Sequence, residues 1–294
     1  MKDILLKLKN DQVISHEEAK KLCYEFSVGM KGNHNPDTIQ DRKDWEIFRD
    51  DFRGKFAEIE VRNNIIKNMH ENLYIKTDLD FSISPRGIWD TTDLEVGEVN
   101  SEDYYSVSIK GVKQWSSNLL IETNRFTDNG QYSYKNNNEK NIRVDSYVLV
   151  EVSINKEFGW GIYNQRKEEF LTYDKLIANR TIEGKILGGI SHEEFWDIKA
   201  FAPKGIICTV ANLKHIYKNR SEFNEENKET YNNLPERFNK DGKTWRKRTW
   251  NSQKICYEFI NENISETPPI TLQKDNYFVT SEQLKVLKEV FKKK

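Results

Sequence analysis

The sequence predicts an α/β fold of the α+β type: a central mixed sheet flanked by helices, with a C-terminal elaboration. Three observations carry this expectation. Apolar residues recur at helical period in the first quarter of the chain, and alternate at strand period through its middle. The last third turns basic and aromatic before a short amphipathic ending.

The elements follow in order. From Met1 to about Met30 the apolar residues Ile4, Leu5 and Leu8, then Ala19, Leu22, Cys23 and Phe26, fall three and four apart, which predicts two short amphipathic helices. GMKGNHNPD interrupts them with Gly, Asn and Pro. A longer helix is predicted from about Asp41 to His70, where Trp45, Phe48, Phe52, Phe56, Ile59, Ile65, Ile66 and Met69 keep helical period past Gly54. After Leu73 short runs alternate with turn residues: LYIKTDLDFSIS, GIWDTTDLEV, DYYSVSIKGV and SSNLLIET. Tyr105, Val107 and Ile109 on one side, with Ser106, Ser108 and Lys110 on the other, predict a half-buried strand. Together these runs read as one mostly antiparallel sheet behind the long helix.

The polar insertion Asn124 to Arg143 reads as a surface loop, and DSYVLVEVSI as the central strand. A helix is predicted at Ser191 to Ile198, capped by Ser191 with Glu194 three residues on. GIICTVA after Gly205 reads as a buried strand, Tyr217 to Asn251 shows no period, and SEQLKVLKEVFKKK reads as an amphipathic helix ending in lysines. These divisions give an N-terminal helical segment 1–32, a core 41–215 and a basic, aromatic region with the final helix 216–294, expected to form one continuous domain.

Composition bounds the function. The chain has 294 residues, of which 36% are apolar, 32% charged and 12% aromatic, enough for a sizeable core and too aromatic for disorder. The net charge of -1 conceals asymmetry: Lys214 to Lys254 holds eleven Lys/Arg against six Asp/Glu, with most of the excess after Leu234. Cys23, Cys208 and Cys256 are odd in number and widely spaced, which predicts no disulfide framework and fits a reducing cytoplasm. No run approaches the roughly 20 apolar residues of a membrane span, so neither secretion nor a membrane partner is expected. His192 and His215 have no metal-spaced partner; HExxH, paired CxxC and GxSxG are missing, and neither KGVKQWSS nor GKILGG has phosphate-loop spacing. No nucleotide cofactor is expected.

One constellation carries chemistry. A carboxylate on a strand after a turn, followed by a strand with a lysine, suits a hard divalent cation beside a water that the lysine orients. GIWDTTDLEV supplies Asp90 and Asp93. About fifteen residues later SVSIKG supplies Ser108 and Lys110 on one strand face. Glu122, closing NLLIE, is a further carboxylate within reach in sequence, and the metal would be held by Asp93 and Glu122.

At these residues the chain resembles the PD-(D/E)xK nuclease superfamily, and more narrowly type II restriction endonucleases carrying GxxDxxD, then SIK, then an NLLxE-like run. The resemblance covers roughly Phe52 to Val152. It implies a restriction-endonuclease-like core, Mg²⁺ as cofactor, Asp93 as the main metal ligand, Lys110 as the water-orienting cation, and Glu58 in FRGKFAEIEV as a helix carboxylate joining the site. No proline precedes Asp93, and Ser108 stands where the family carries Glu or Asp; Glu122 would compensate, with Asp90 or Glu95 in reserve.

The implied activity is sequence-specific hydrolysis of double-stranded DNA in a restriction-modification system. The same residues would also serve a repair, phage or structure-selective nuclease, or a non-catalytic DNA-binding protein on such a scaffold. Duplex contact is expected from Arg237, Lys240, Lys243, Trp245, Arg246, Lys247 and Arg248, a basic stretch interleaved with tryptophan. Asn, Gln and Arg of the loop Thr123 to Arg143 are candidates for base edges. Cutting both strands of a palindrome predicts a homodimer.

Overall fold

The computed structural model describes residues 11–33, 43–83, 93–114, 116, 118–127, 130–132, 144–164, 166–202, 207–208, 237–240, 243–250, 254–260, 270–272 and 274–291, with the strands between 207 and 271 described by backbone alone. The expected helix at the extreme N-terminus, Asp90 and most of the loop up to Arg143 lie outside these residues.

In chain order the elements begin with α1 (His16–Gly29), α2 (Asp44–Asn68), β1 (Leu73–Thr77), β2 (Leu94–Glu98), β3 (Tyr104–Lys113), β4 (Asn118–Glu122) and β5 (Ser146–Ile154). They continue with β6 (Tyr163–Asn164), β7 (Glu169–Phe170), α3 (Tyr173–Leu176), β8 (Ile182–Ser191), α4 (His192–Ile198) and β9 (Ala200–Ala202). The remainder comprises β10 (Ile207–Cys208), β11 (Arg237–Lys240), β12 (Lys243–Trp250), β13 (Lys254–Ile260), β14 (Ile270–Thr271), β15 (Asn276–Thr280) and α5 (Leu287–Val290).

The chain forms two compact units that interleave in sequence: 1–114, 134–192 and 284–294 in the first, 115–133 and 193–283 in the second. This division cuts across the sequence segments 41–215 and 216–294.

The first unit is built on a five-stranded sheet of order β1-β2-β3-β5-β8. Strands β1, β2 and β3 form an antiparallel meander, β3 and β5 run parallel from Val107↔Ser146 to Lys113↔Val152, and β8 returns antiparallel to β5. The sheet is therefore mixed, as expected, and DSYVLVEVSI supplies a strand with a neighbour on each side. Helix α2 crosses one sheet face because its aromatic stripe can be buried there: Phe48, Phe52 and Phe56 are fully buried with Val148, Val150 and Val152. Glycine permits the approach. A Cβ at Gly111 would lie 2.7 Å from the Arg53 carbonyl oxygen, so any side chain there would push β3 off the helix. Helix α1 starts at a capping box between Ser15 and Glu18 and is tied to α2 through Asn63, whose amide takes the Ile14 N–H at 3.0 Å and donates to the Ile14 carbonyl at 2.8 Å.

In the second unit β4, β15 and β9 form a three-stranded sheet, and β11, β12, β13, β10 and β14 form a five-stranded one. NLLIE is thus β4, paired with β15, and not a continuation of the sheet behind the long helix. Phe126 packs with Tyr132, Phe195, Trp196 and Tyr277 in an aromatic cluster, where Gly130 at φ +82° lies against the Trp196 ring.

Two further expectations change and one holds. The final helix is only Leu287–Val290, because Lys285 exchanges both backbone hydrogen bonds with Gly189 at 2.8 Å and holds its neighbourhood extended. The expected helix at Ser191 to Ile198 is present as His192–Ile198, directly after Ser191, which also ends β8 opposite Ser146. The stretch without visible period contains the β11–β12 hairpin, whose consecutive basic residues hide the strand alternation.

Candidate active site

Asp93 immediately precedes β2, and the pairings Leu94↔Val107 and Glu95↔Ser106, continued by one residue, set it opposite Ser108. The carboxylate is held by the neighbouring strand: Asp93 Oδ2 accepts the Ile109 N–H at 2.6 Å and the Ser108 hydroxyl at 3.4 Å. Lys110 is two residues beyond Ser108, on the same sheet face, half-buried. Among the described residues Lys110 makes no side-chain hydrogen bond or ion pair.

That face is the one opposite α2, and its other members follow from register. Glu95 shares it through Ser106 and accepts a short hydrogen bond from the Thr77 hydroxyl. On β5, Tyr147, Leu149 and Glu151 share it, opposite Ser108, Lys110 and Val112. Ser106 and Ser108 are 1% and 7% exposed, so the polar side of β3 is not the solvated one that its alternation predicts. Asp145 helps close this end of the sheet, taking the Ser106 N–H on its Oδ2 at 2.9 Å while donating its own N–H to the Ser106 carbonyl at 2.8 Å. On the other side of β3, Tyr105 has its phenol pKa pushed far up by burial, by its hydrogen bond to Glu98, and by the charges of Glu98, Asp103 and Asp145.

Structure and expectation diverge over the remaining carboxylates. Glu58 is buried in α2, where its Oε2 takes the Lys55 ammonium at 2.7 Å, with Lys55 also 5.0 Å from the Phe26 ring centre. After burial itself, the Glu58 charge is the main cause raising the pKa of Cys23 on α1, whereas Arg53 and Ala57 are the α2 residues that meet β3 at Gly111. Glu122 ends β4 in the second unit, and its Oε2 is paired with Lys274 at 3.0 Å and Arg125 at 3.5 Å. Arg237 and Lys240 lie on β11, and Lys243, Trp245, Arg246, Lys247 and Arg248 on β12. Glu151 was not among the expected residues; its signal is an isolated acid within the apolar run VLVEV.

The donor chemistry on this face fits a hard divalent cation, because Asp93 and Glu95 present carboxylate oxygens two residues apart on one strand side. Among the described residues no group of three His, Cys, Asp or Glu converges as a metal cluster, and no described helix is long and apolar enough to cross a membrane. Comparison of the chain with protein-family models, curated proteins and solved structures finds no match.

Proposed function

We propose that the protein is a sequence-specific, Mg²⁺-dependent endonuclease of double-stranded DNA, of the restriction type. The observation that carries this reading is the pairing across β2 and β3: a carboxylate fixed by the next strand's N–H, and on the same face a lysine without a partner among the described residues. A lysine on the same sheet face as a carboxylate suits an incoming phosphodiester and its attacking water.

In this reading Asp93 and Glu95 hold the cation, which would supply charge stabilisation for the scissile phosphate and a lowered water pKa. Ser108 has no charge to contribute. It donates to Asp93 and, with the Ile109 N–H, fixes the carboxylate's orientation so that its other oxygen stays available. Lys110 orients the water and balances the developing negative charge. The homodimer and the cytoplasmic setting remain part of the proposal, each subunit cutting one strand. Ser108 in place of an acid favours one second reading, a DNA-binding protein without catalysis.

Incubation of the purified chain with long unmethylated duplex DNA and Mg²⁺ decides between them. Discrete fragments support the restriction reading, and cleavage confined to branched DNA indicates a structure-selective nuclease. Intact DNA with salt-sensitive binding supports the non-catalytic reading.

A further inference from the structure

We infer that the face of the β11–β12–β13 sheet carrying Arg237, Arg246 and Arg248 takes the phosphate backbone of duplex DNA, and that Lys240, Lys243, Trp245 and Lys247, on the opposite face, do not. The inference rests on the nucleic-acid reading above and divides its seven candidate contacts into two groups.

In linear sequence WRKR reads as one basic block, but strand period splits it. Arg237 pairs with Arg246, Arg246 with Glu258 and Arg248 with Cys256, so these positions share one face, together with Asn239, Thr244, Trp250, Lys254 and Ile260, and with Ile207 of β10 through Glu258. The alternate positions give a row across all three strands, Phe238↔Trp245↔Phe259, followed by Lys247↔Tyr257 and Thr249↔Ile255, with Lys240↔Lys243 at the hairpin end.

Charge alone does not choose between the faces. The arginine face has four cations, Arg237, Arg246, Arg248 and Lys254, against the single carboxylate of Glu258; the other has three lysines and no acid. The aromatics choose, since four of them, Phe238, Trp245, Tyr257 and Phe259, share the lysine face, against Trp250 alone on the arginine face. A row of aromatic residues crossing three strands is the side that a sheet covers, since cross-strand aromatic pairs gain most from leaving water. The face left to an anionic partner is then the one with three arginines, whose planar guanidinium groups match phosphate oxygens in pairs better than an ammonium does.

The test is binding of the full chain to a labelled duplex in EDTA over a salt series. The R237Q/R246Q/R248Q variant is expected to flatten the slope of log affinity against log salt by about 2.7, and to weaken binding about 10²- to 10³-fold near 0.1 M salt. K240Q/K243Q/K247Q should keep the slope and stay within about threefold of the parent. R246Q alone, confirmed as folded by its melting curve, should flatten the slope by about 0.9, which preserves the test if the triple variant does not fold.

Equal effects of the two triple variants, or a larger effect of the lysine set, overturn the assignment. So does failure of the parent chain to bind duplex DNA, or tighter binding of single strands that W245A abolishes. The last result would make the aromatic face a stacking platform. A chain that cuts DNA while both triple variants bind alike refutes this inference and leaves the nuclease reading intact. Arginine-dependent binding without Mg²⁺-dependent cleavage does the reverse.

Discussion

Asp93 and Glu122 are two strand-end carboxylates in very different electrostatic situations. Asp93 is held by neutral donors, the Ile109 N–H and the Ser108 hydroxyl, so it is fixed in position, and among the described residues no cation pairs with it. Glu122 is met by two cations, Lys274 and Arg125, and its charge is already balanced. Neutral anchoring leaves a carboxylate ready for a cation, whereas ion pairing uses it up. On this comparison Glu95, which shares a face with Asp93 and among the described residues bonds only to the Thr77 hydroxyl, is the better second acid.

The sharpest way to break the comparison is to remove its active side. Asp93→Asn and Lys110→Ala should each lower Mg²⁺-dependent cleavage about 10²- to 10⁴-fold with the thermal melt little changed. Full activity in either would remove the site from this face. Glu95→Gln should cost roughly 10- to 100-fold, as a group that completes a metal site rather than founding it. Glu122→Gln should leave cleavage within about threefold and cost stability about 1 kcal/mol or less, since its ion pairs are partly exposed and screened by solvent. Abolished cleavage in Glu122→Gln, with Glu95→Gln at parental rates, would invert the comparison and return the second acid to β4.

The parts of this picture that were legible in the sequence are those with a strong local period. The aromatic stripe of α2 and the alternation around Lys110 set the helix and strand β3, and the one-face relation of Ser108 to Lys110 follows from strand period alone. What was not legible depends on pairing across the chain. Nothing local in NLLIE tells that β4 pairs with β15, more than 150 residues on, instead of joining the sheet of the first unit. The R-K-R run concealed β12 because basic residues occupy both of its faces. Glu58 looked like a site residue by its position along α2. Its partner Lys55, one turn earlier, and its influence on Cys23 follow from which side of α2 meets α1, which only packing decides.

Glu60 tests the same distinction on the helix side of the sheet, with the smallest effect. It packs where Gly184 leaves room, since a Cβ on that glycine would come within 2.4 Å of Glu60 Cγ. Among the described residues no donor compensates the cost of burial: desolvation raises the carboxyl pKa, and the nearby charge of Lys67 only partly opposes it. The folded state therefore holds the carboxyl proton more tightly than the unfolded state does. Its contribution to stability is complete below the unfolded carboxyl pKa of about 4.3 and is lost as pH rises through the elevated folded value. Glu60→Gln, neutral at every pH, should melt above the parent chain at pH 7, and the gap should close as pH falls below about 4. A gap that is the same at both ends of the titration would mean that packing rather than charge separates the two chains. Cleavage should stay at the parental rate, because α2 lies on the sheet face opposite Asp93 and Lys110.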